Sequence, residues 1–268
     1  AKGDGGMFFL ATVPDPIGRV SGVLREAAVE AEPAAGSAVV SAAVCGLGSG
    51  EGFVYGDGVH ETASIVKVDI LAALLLRAQD AGRRPTARER AHAAAMIEHS
   101  DNDAASALWQ SIGGADGLDA ANERFGLTST RGGEGTLWGL TRTTAVDRLV
   151  LLRQVFGGEG ELDEASRRCV QELMGRIVAG QDWGVSAAAD GSAWALKNGW
   201  LPRSTTGLWI VNSIGRVTSG GRDCLVAVLS HGHATKEQGI ALVEAVAREA
   251  VSVLRGNASP RGWRPLRA

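Results

Sequence analysis

The chain has 268 residues, with 27 Lys and Arg against 30 Asp and Glu and a formal net charge of −3. That length allows one large domain or two closely joined ones around a sizeable core. The balanced charge gives no basis for a nucleic-acid or anionic-membrane partner. The longest purely apolar run, Ile70 to Leu76, is too short for a membrane span. Heptads, internal repeats and long low-complexity tracts are absent from the sequence. The three cysteines, Cys45, Cys169 and Cys224, have no metal-like spacing and read as small buried hydrophobes. Cys45 and Cys224 both fall in apolar strand candidates, so a disulfide between them stays open. "MFFLATV" near the start is short, lacks a basic flank and precedes no clear cleavage site, so no signal peptide is visible.

In chain order, Asp15-Pro16 predicts an N-cap with proline at the first helical position, followed by a face of Ile17, Val20 and Leu24. Ala38 to Val44 and the stretch from Phe53 flank "GLGSGEG", so 37–57 reads as a β-hairpin. "ETASIVKVDILAALLL" then gives a helix that ends near Gly82 and is apolar all round, as a central core helix is. Thr86 and Glu89 make a capping box for a helix to about His99. After "SDN" a helix resumes at Ala104–Gln110. A further one runs to Phe125, where Gly126 stops it. Residues 127–140 read as loop. Thr144 caps a helix to Phe156, and 163–178 reads as another. "SAWALKNGW", "GLWIVNSIG" and "DCLVAVLS" are three strands, and Leu225 to Leu229 should be covered on both faces. Thr235 and Gln238 open a last helix with a stripe of Ile240, Val243, Ala247, Ala250 and Leu254. The order predicts a mixed α/β fold. An antiparallel sheet of about five strands, flanked by N- and C-terminal helices, forms a discontinuous domain from 15–60 and 190–258. An all-helical domain, 61–189, is inserted between its halves.

One feature of the central helix is chemical. Ser64 and Lys67 share a face at i, i+3, with Ser64 in the first turn, where its own N–H is unpaired. A hydroxyl, an amine one turn away to take its proton and an N–H aimed at a developing oxyanion together suit a nucleophile. Lys67 serves as a base only if burial or a neighbouring cation lowers its pKa. A lone Ser-x-x-Lys is equally an ordinary cap beside a snorkelling lysine. Two further groups stand with it. Ser100-Asp101-Asn102 lies at a helix break, and Lys197-Asn198-Gly199 lies in a strand, where Gly199 would let a substrate backbone approach closely.

With these three groups in this order, the sequence resembles the penicillin-recognising serine hydrolases, specifically the class A β-lactamase-like group, whose motifs are Ser-x-x-Lys, Ser-Asp-Asn and Lys-Thr-Gly. "GGADGLDAANERFG" and "LTRTTAVDRLVLLRQV" resemble the family's helical segments, so the likeness covers nearly the whole chain. The resemblance implies a β-lactamase/transpeptidase-like fold and a cofactor-free, metal-free acyl-enzyme mechanism. In it Ser64 is acylated, Lys67 activates it and Ser100 passes a proton to the leaving amine. Lys197 supplies positive potential for a substrate carboxylate. Asn102, Asn198, Gly199 and Trp200 line the substrate site, and the N–H groups of Ser64 and Trp200 form the oxyanion hole. It also favours an extracytoplasmic or secreted location.

Three departures stand out. Ser100 lies only 36 positions after Ser64, which implies a missing wall of the cleft. Asn198 replaces the usual Thr or Ser, so carboxylate recognition should be altered. The loop between Gly126 and Thr141 lacks the Glu-x-x-x-Asn element that holds the deacylating water, and Glu134 is its only acidic residue. Asp101 reads as a helix cap. His99 is redundant beside Lys67. His231 and His233 would line the cleft or, as expected, sit in an exposed turn. The expected activity is hydrolysis of a β-lactam or related amide or ester. Acyl transfer, as by a D-Ala-D-Ala peptidase or a biosynthetic transacylase, and a penicillin-binding sensor that stalls as the acyl-enzyme remain open. The partner is a small β-lactam or acyl-peptide, and the oligomeric state is left undetermined.

Overall fold

Strands β1 (Val39–Gly46) and β2 (Gly52–Tyr55) form the expected hairpin, with Ala42 opposite Tyr55 and Cys45 opposite Gly52. They belong to a computed structural model that describes residues 38–191, 194–256 and 263–266. The helix expected from Asp15, and the "MFFLATV" segment, lie outside the described residues. The short β3 (His60–Glu61) pairs with β4 (Arg142–Thr143). Three long strands close the chain: β5 (Trp194–Pro202), β6 (Trp209–Ser219) and β7 (Arg222–His233). With β8 (Arg264–Pro265) they make an antiparallel sheet in the order β5-β6-β7-β1-β2-β8. The sheet has six strands rather than about five, because two residues beyond the last helix add to the edge at β2.

Seven helices accompany the sheet among the described residues. They are α1 (Val66–Asp80), α2 (Ala87–Glu98), α3 (Asn102–Ile112), α4 (Gly114–Phe125), α5 (Ala145–Phe156), α6 (Glu164–Met174) and α7 (Lys236–Gly256). Local chemistry sets their ends. Thr86 and Glu89 form the reciprocal capping box at α2. Asp101 caps α3 by accepting from Ala104 N, and Thr144 and Asp163 do the same for α5 and α6. Gly126 takes φ +83° to stop α4. The α6 helix ends at Met174, with Gly175 as its C-cap, short of the expected 178.

Both faces of the sheet are covered. Val226 and Val228 of β7 face α7 with Val243, Val246 and Ala250. Leu225, Ala227 and Leu229 face the helical side with Ile65, Val68 and Leu71. That explains the uninterrupted apolar run in β7. Cys45 and Cys224 are buried as free thiols. No helix among the described residues is long and apolar enough to cross a membrane.

Within this apolar frame lies a fully buried ion pair. Asp69 of α1 and Arg148 of α5 meet through two bonds of 2.6 and 3.0 Å, both side chains being 0% exposed. Arg148 Nε also donates to Thr143 Oγ1 at 2.9 Å. The Thr130 hydroxyl bonds Thr143 Oγ1 at 2.9 Å and donates to Asp147. The network ties α1 to α5 and to the start of the 127–140 loop. Removing one partner of such a pair strands a buried charge. Arg148→Met should therefore cost about 3–5 kcal/mol, and the double Asp69→Leu/Arg148→Met should recover most of it. Urea unfolding checks both, and a double variant no better than the single one contradicts the account.

Candidate active site

Ser64 sits in a 3-10 turn, Ala63–Ile65, that precedes α1 rather than inside the first turn of the α-helix. Ala63 takes φ +48° and Ser100 takes φ +55°. These are the two non-glycine residues with positive φ among the described residues. Backbone strain of this kind costs of order 1–3 kcal/mol and collects at functional sites. Here it flanks one candidate reactive hydroxyl and carries the other.

Three contacts fix the Ser64 turn from outside. Thr62 N donates to Thr141 O at 2.8 Å. Asn212 Nδ2 donates to Glu61 O and Thr62 O, both at 2.9 Å, while its Oδ1 accepts from Ser230 N. Strand β5, the edge of the sheet, packs directly on the turn. A Cβ on Gly199 would lie 2.7 Å from Ser64 N and 2.8 Å from Thr62 O. The missing side chain of Gly199 admits the protein's own Ser64 turn.

The amine of Lys67 is 0% exposed. Helix α1 is buried nearly all round, so the side chain has no route to water and turns toward α3. It donates to Ser100 O at 2.7 Å and Asn102 Oδ1 at 2.8 Å and lies 2.9 Å from Ser100 Oγ. Ser64 Oγ is not among its hydrogen-bond partners among the described residues. The left-handed backbone at Ser100 is what aims both of that residue's oxygens at the amine. Lys197, 1% exposed, approaches the same hydroxyl from β5 at 3.1 Å and donates to Asn198 O at 2.8 Å.

Burial pushes Lys67 down from 10.5 to about 7, against a smaller upward pull from Asp101. Burial first, and then the charge of Lys67, push Lys197 well below 10.5. Two ammonium groups on one hydroxyl, out of water, repel, which disfavours the doubly protonated pair. A neutral Lys67 has two N–H bonds for Ser100 O and Asn102 Oδ1 and a lone pair for the Ser100 O–H. The arrangement can therefore pass a proton between the two amines through Ser100 Oγ.

Ser64 and Asn102 line a cleft of about 580 Å³ with Ser106, Trp138, Trp200 and Arg203. Trp138 lies over Lys67, 4.9 Å from the amine to the ring centroid, and its indole N–H donates to Ser106 Oγ at 3.2 Å. Sequence reasoning missed Trp138, Asn212 and the Asp69–Arg148 pair. The last two had a signal, a polar residue interrupting an apolar run. Glu134 is exposed and does not line the cleft, consistent with a solvated loop charge.

Asn198 is also corrected. Its amide is 1% exposed and donates to Gln181 O at 2.9 Å and Trp183 O at 2.6 Å. Strand alternation turns it away from Lys197, so it does not present its amide to a substrate carboxylate. His231 and His233 are not in an exposed turn. They end β7, and His233 is buried against the Ser230 hydroxyl at 2.8 Å. His99 is exposed. No group of three or more His, Cys, Asp or Glu is placed to hold a metal among the described residues.

Two outcomes follow from this geometry. The Cε signal of Lys67 should titrate with a midpoint near 7, and a midpoint at the ordinary 10.5 would contradict the burial argument. The folded state then binds fewer protons than the unfolded one between about 7 and 10.5, so Lys67 makes stability rise with pH across that window. Asn198→Thr should lose two buried bonds to the 181–183 segment and cost about 1–3 kcal/mol in urea unfolding. An unchanged midpoint would show that the amide does not hold that segment.

Comparison with known proteins agrees with this architecture. No curated protein sequence matches the chain. Among solved structures, a PBP-A mutant in an acyl-enzyme complex with penicillin G is 22% identical, with 91% of this chain and 100% of that one covered and a TM-score of 0.72. A variant of the last common ancestor of Gram-negative bacteria class A β-lactamase is 19% identical, covering 91% and 99%, with a TM-score of 0.74. A class A β-lactamase from Bacteroides cellulosilyticus DSM 14838 is 15% identical, covering 91% and 100%, also at 0.74. At these identities the likeness is one of fold. The model of the beta-lactamase enzyme family matches residues 76–254, a stretch that contains Ser100, Asn102 and Lys197 and begins after Ser64 and Lys67. The chain belongs to the beta-lactamase enzyme family.

Proposed function

We propose that this protein is a serine acyl-enzyme that reacts with β-lactams or related amides and esters through Ser64. The observation that carries the reading is the pair of buried lysines sharing the Ser100 hydroxyl. In acylation the Ser64 O–H proton passes to neutral Lys67 as Oγ bonds to the substrate carbonyl. Contacts of this kind are often long in a free enzyme and close with substrate. Lys67 makes that contact by releasing one of its three present partners. The N–H groups of Ser64 and Trp200 hold the oxyanion. As the C–N bond breaks, Lys67 returns the proton through Ser100 Oγ to the leaving nitrogen, and Lys197 supplies the positive field. Asn102 holds both Lys67 and the substrate's acylamide. Trp200 forms one wall of the cleft.

Deacylation lacks a comparable device. Among the described residues lining the cleft there is no carboxylate, and the indole of Trp138 covers the Lys67 side where a water would have to be activated. General-base assistance is worth about 10²–10⁴-fold. The acyl-enzyme should therefore outlive acylation, which supports the penicillin-binding reading over rapid hydrolysis.

Intact-mass measurement over time with a penicillin panel tests this. A single adduct should appear on Ser64 and persist, Ser64→Ala should give none, and Lys67→Arg should acylate far more slowly because Arg keeps its proton. Glu134→Gln should leave adduct lifetime unchanged. An adduct elsewhere, or near-normal acylation by Lys67→Arg, overturns the assignment of roles. Fast steady-state hydrolysis with no adduct overturns the slow deacylation, and capture of the acyl group by an added amine marks the transferase form.

A further inference from the structure

Beyond the Arg203 side of the cleft lies a second cavity of about 350 Å³, lined by Val59, Glu61, Arg142, Arg203, Trp209 and His231 among others. It does not contain Ser64. Its polar groups are unevenly matched. Arg203 Nε pairs with Glu61 Oε2 at 3.1 Å, each side chain being about 30% exposed. Arg142 is exposed and its guanidinium has no ion-pair partner among the described residues. His231 Nδ1 faces His60 Nδ1 at 3.0 Å, and His60 Nε2 faces the Ser41 hydroxyl at 2.9 Å. His231 Nε2 has no hydrogen-bond partner among the described residues. The cavity lining holds two guanidinium groups against one carboxylate, and burial lowers the pKa of His231 against a smaller upward pull from Glu61. The apolar part is also open. Val59 is 46% exposed, and Val39, opposite His231 in the β1–β7 ladder, is 44% exposed.

A surplus cation, unpaired donors and an exposed apolar wall in one concave site suit a small anion with an apolar body. We propose that this cavity is a second binding site, separate from the Ser64 cleft, for an amphipathic organic monocarboxylate. Its carboxylate bridges Arg142 and the Arg203 edge, and its aryl or alkyl part lies against Val59 and Trp209. Glu61 competes for Arg203, so the occupant loosens the Arg203–Glu61 pair on the wall shared with the cleft. The inference does not depend on acyl-enzyme chemistry at Ser64.

The probe is 4-phenylbutyrate, titrated by calorimetry, with 4-phenylbutanol as its uncharged counterpart. Loss of a charge-assisted bond predicts about ten- to a hundred-fold weaker binding to Arg142→Gln and a similar deficit for the alcohol. Val59→Glu, at an exposed position, should abolish binding. Leu137→Glu, which changes only the Ser64 cleft, should leave it intact. Equal affinity for acid and alcohol, unchanged binding by both Arg142→Gln and Val59→Glu, loss in Leu137→Glu, or no binding at about 10 mM would each overturn the proposal.

Discussion

The burial of one lysine amine governs this structure. An ammonium taken out of water without compensation is so costly that it sheds its proton instead. Lys67 cannot escape that choice, because α1 is packed on nearly every side and places its amine inside the molecule. The neighbouring elements are arranged around the consequence. Ser100 adopts a left-handed backbone to offer two oxygens, α3 begins at Asn102 to offer a third, and Trp138 lays its ring over the remaining side. Lys197 reaches the same hydroxyl from the sheet edge, so the helices and the sheet meet at Ser100.

In the proposed reaction that arrangement serves one half more than the other. Forming an acyl-enzyme at Ser64 needs a neutral amine, a proton path and two N–H groups, and the proposed site has each. Releasing it to water needs a further base. The loop from 127 to 140 is firmly held, by Trp109 Nε1 on Gly135 O at 2.8 Å and by the Thr130–Asp147 network at its start. What it presents to Ser64 is indole and leucine rather than carboxylate. The structural likeness to both PBP-A and class A β-lactamases establishes the fold and leaves this chemical difference to be read from the residues themselves.

Much of the fold was legible because its signals are local. The Thr86–Glu89 box spans three residues, the Leu225–Leu229 run reports burial on two faces, and the Ser64–Lys67 spacing reports a shared face. What escaped depends on partners far away in sequence. Arg148 answers Asp69 across 79 positions, and Asn212 answers Thr62 across 150. Asp69 stood in plain view as a charge inside an apolar run, yet nothing nearby pointed to its partner. At Asn198 the family likeness argues for a side chain at the cleft, whereas strand alternation turns it away from Lys197. The two carbonyls of the 181–183 segment decide the matter for alternation. Gly199 reads as a place of close approach, and the structure brings the Ser64 turn against it.

The most direct test of a neutral, buried Lys67 serving Ser64 is the pH dependence of Ser64 labelling by a fluorophosphonate, with the modified residue mapped by mass spectrometry. Such a reagent needs the activated hydroxyl and is indifferent to the natural substrate. The labelling rate should rise with pH through a midpoint near 7 and then level off. A rate that ignores pH across that range, or climbs only toward 10.5, would contradict the account.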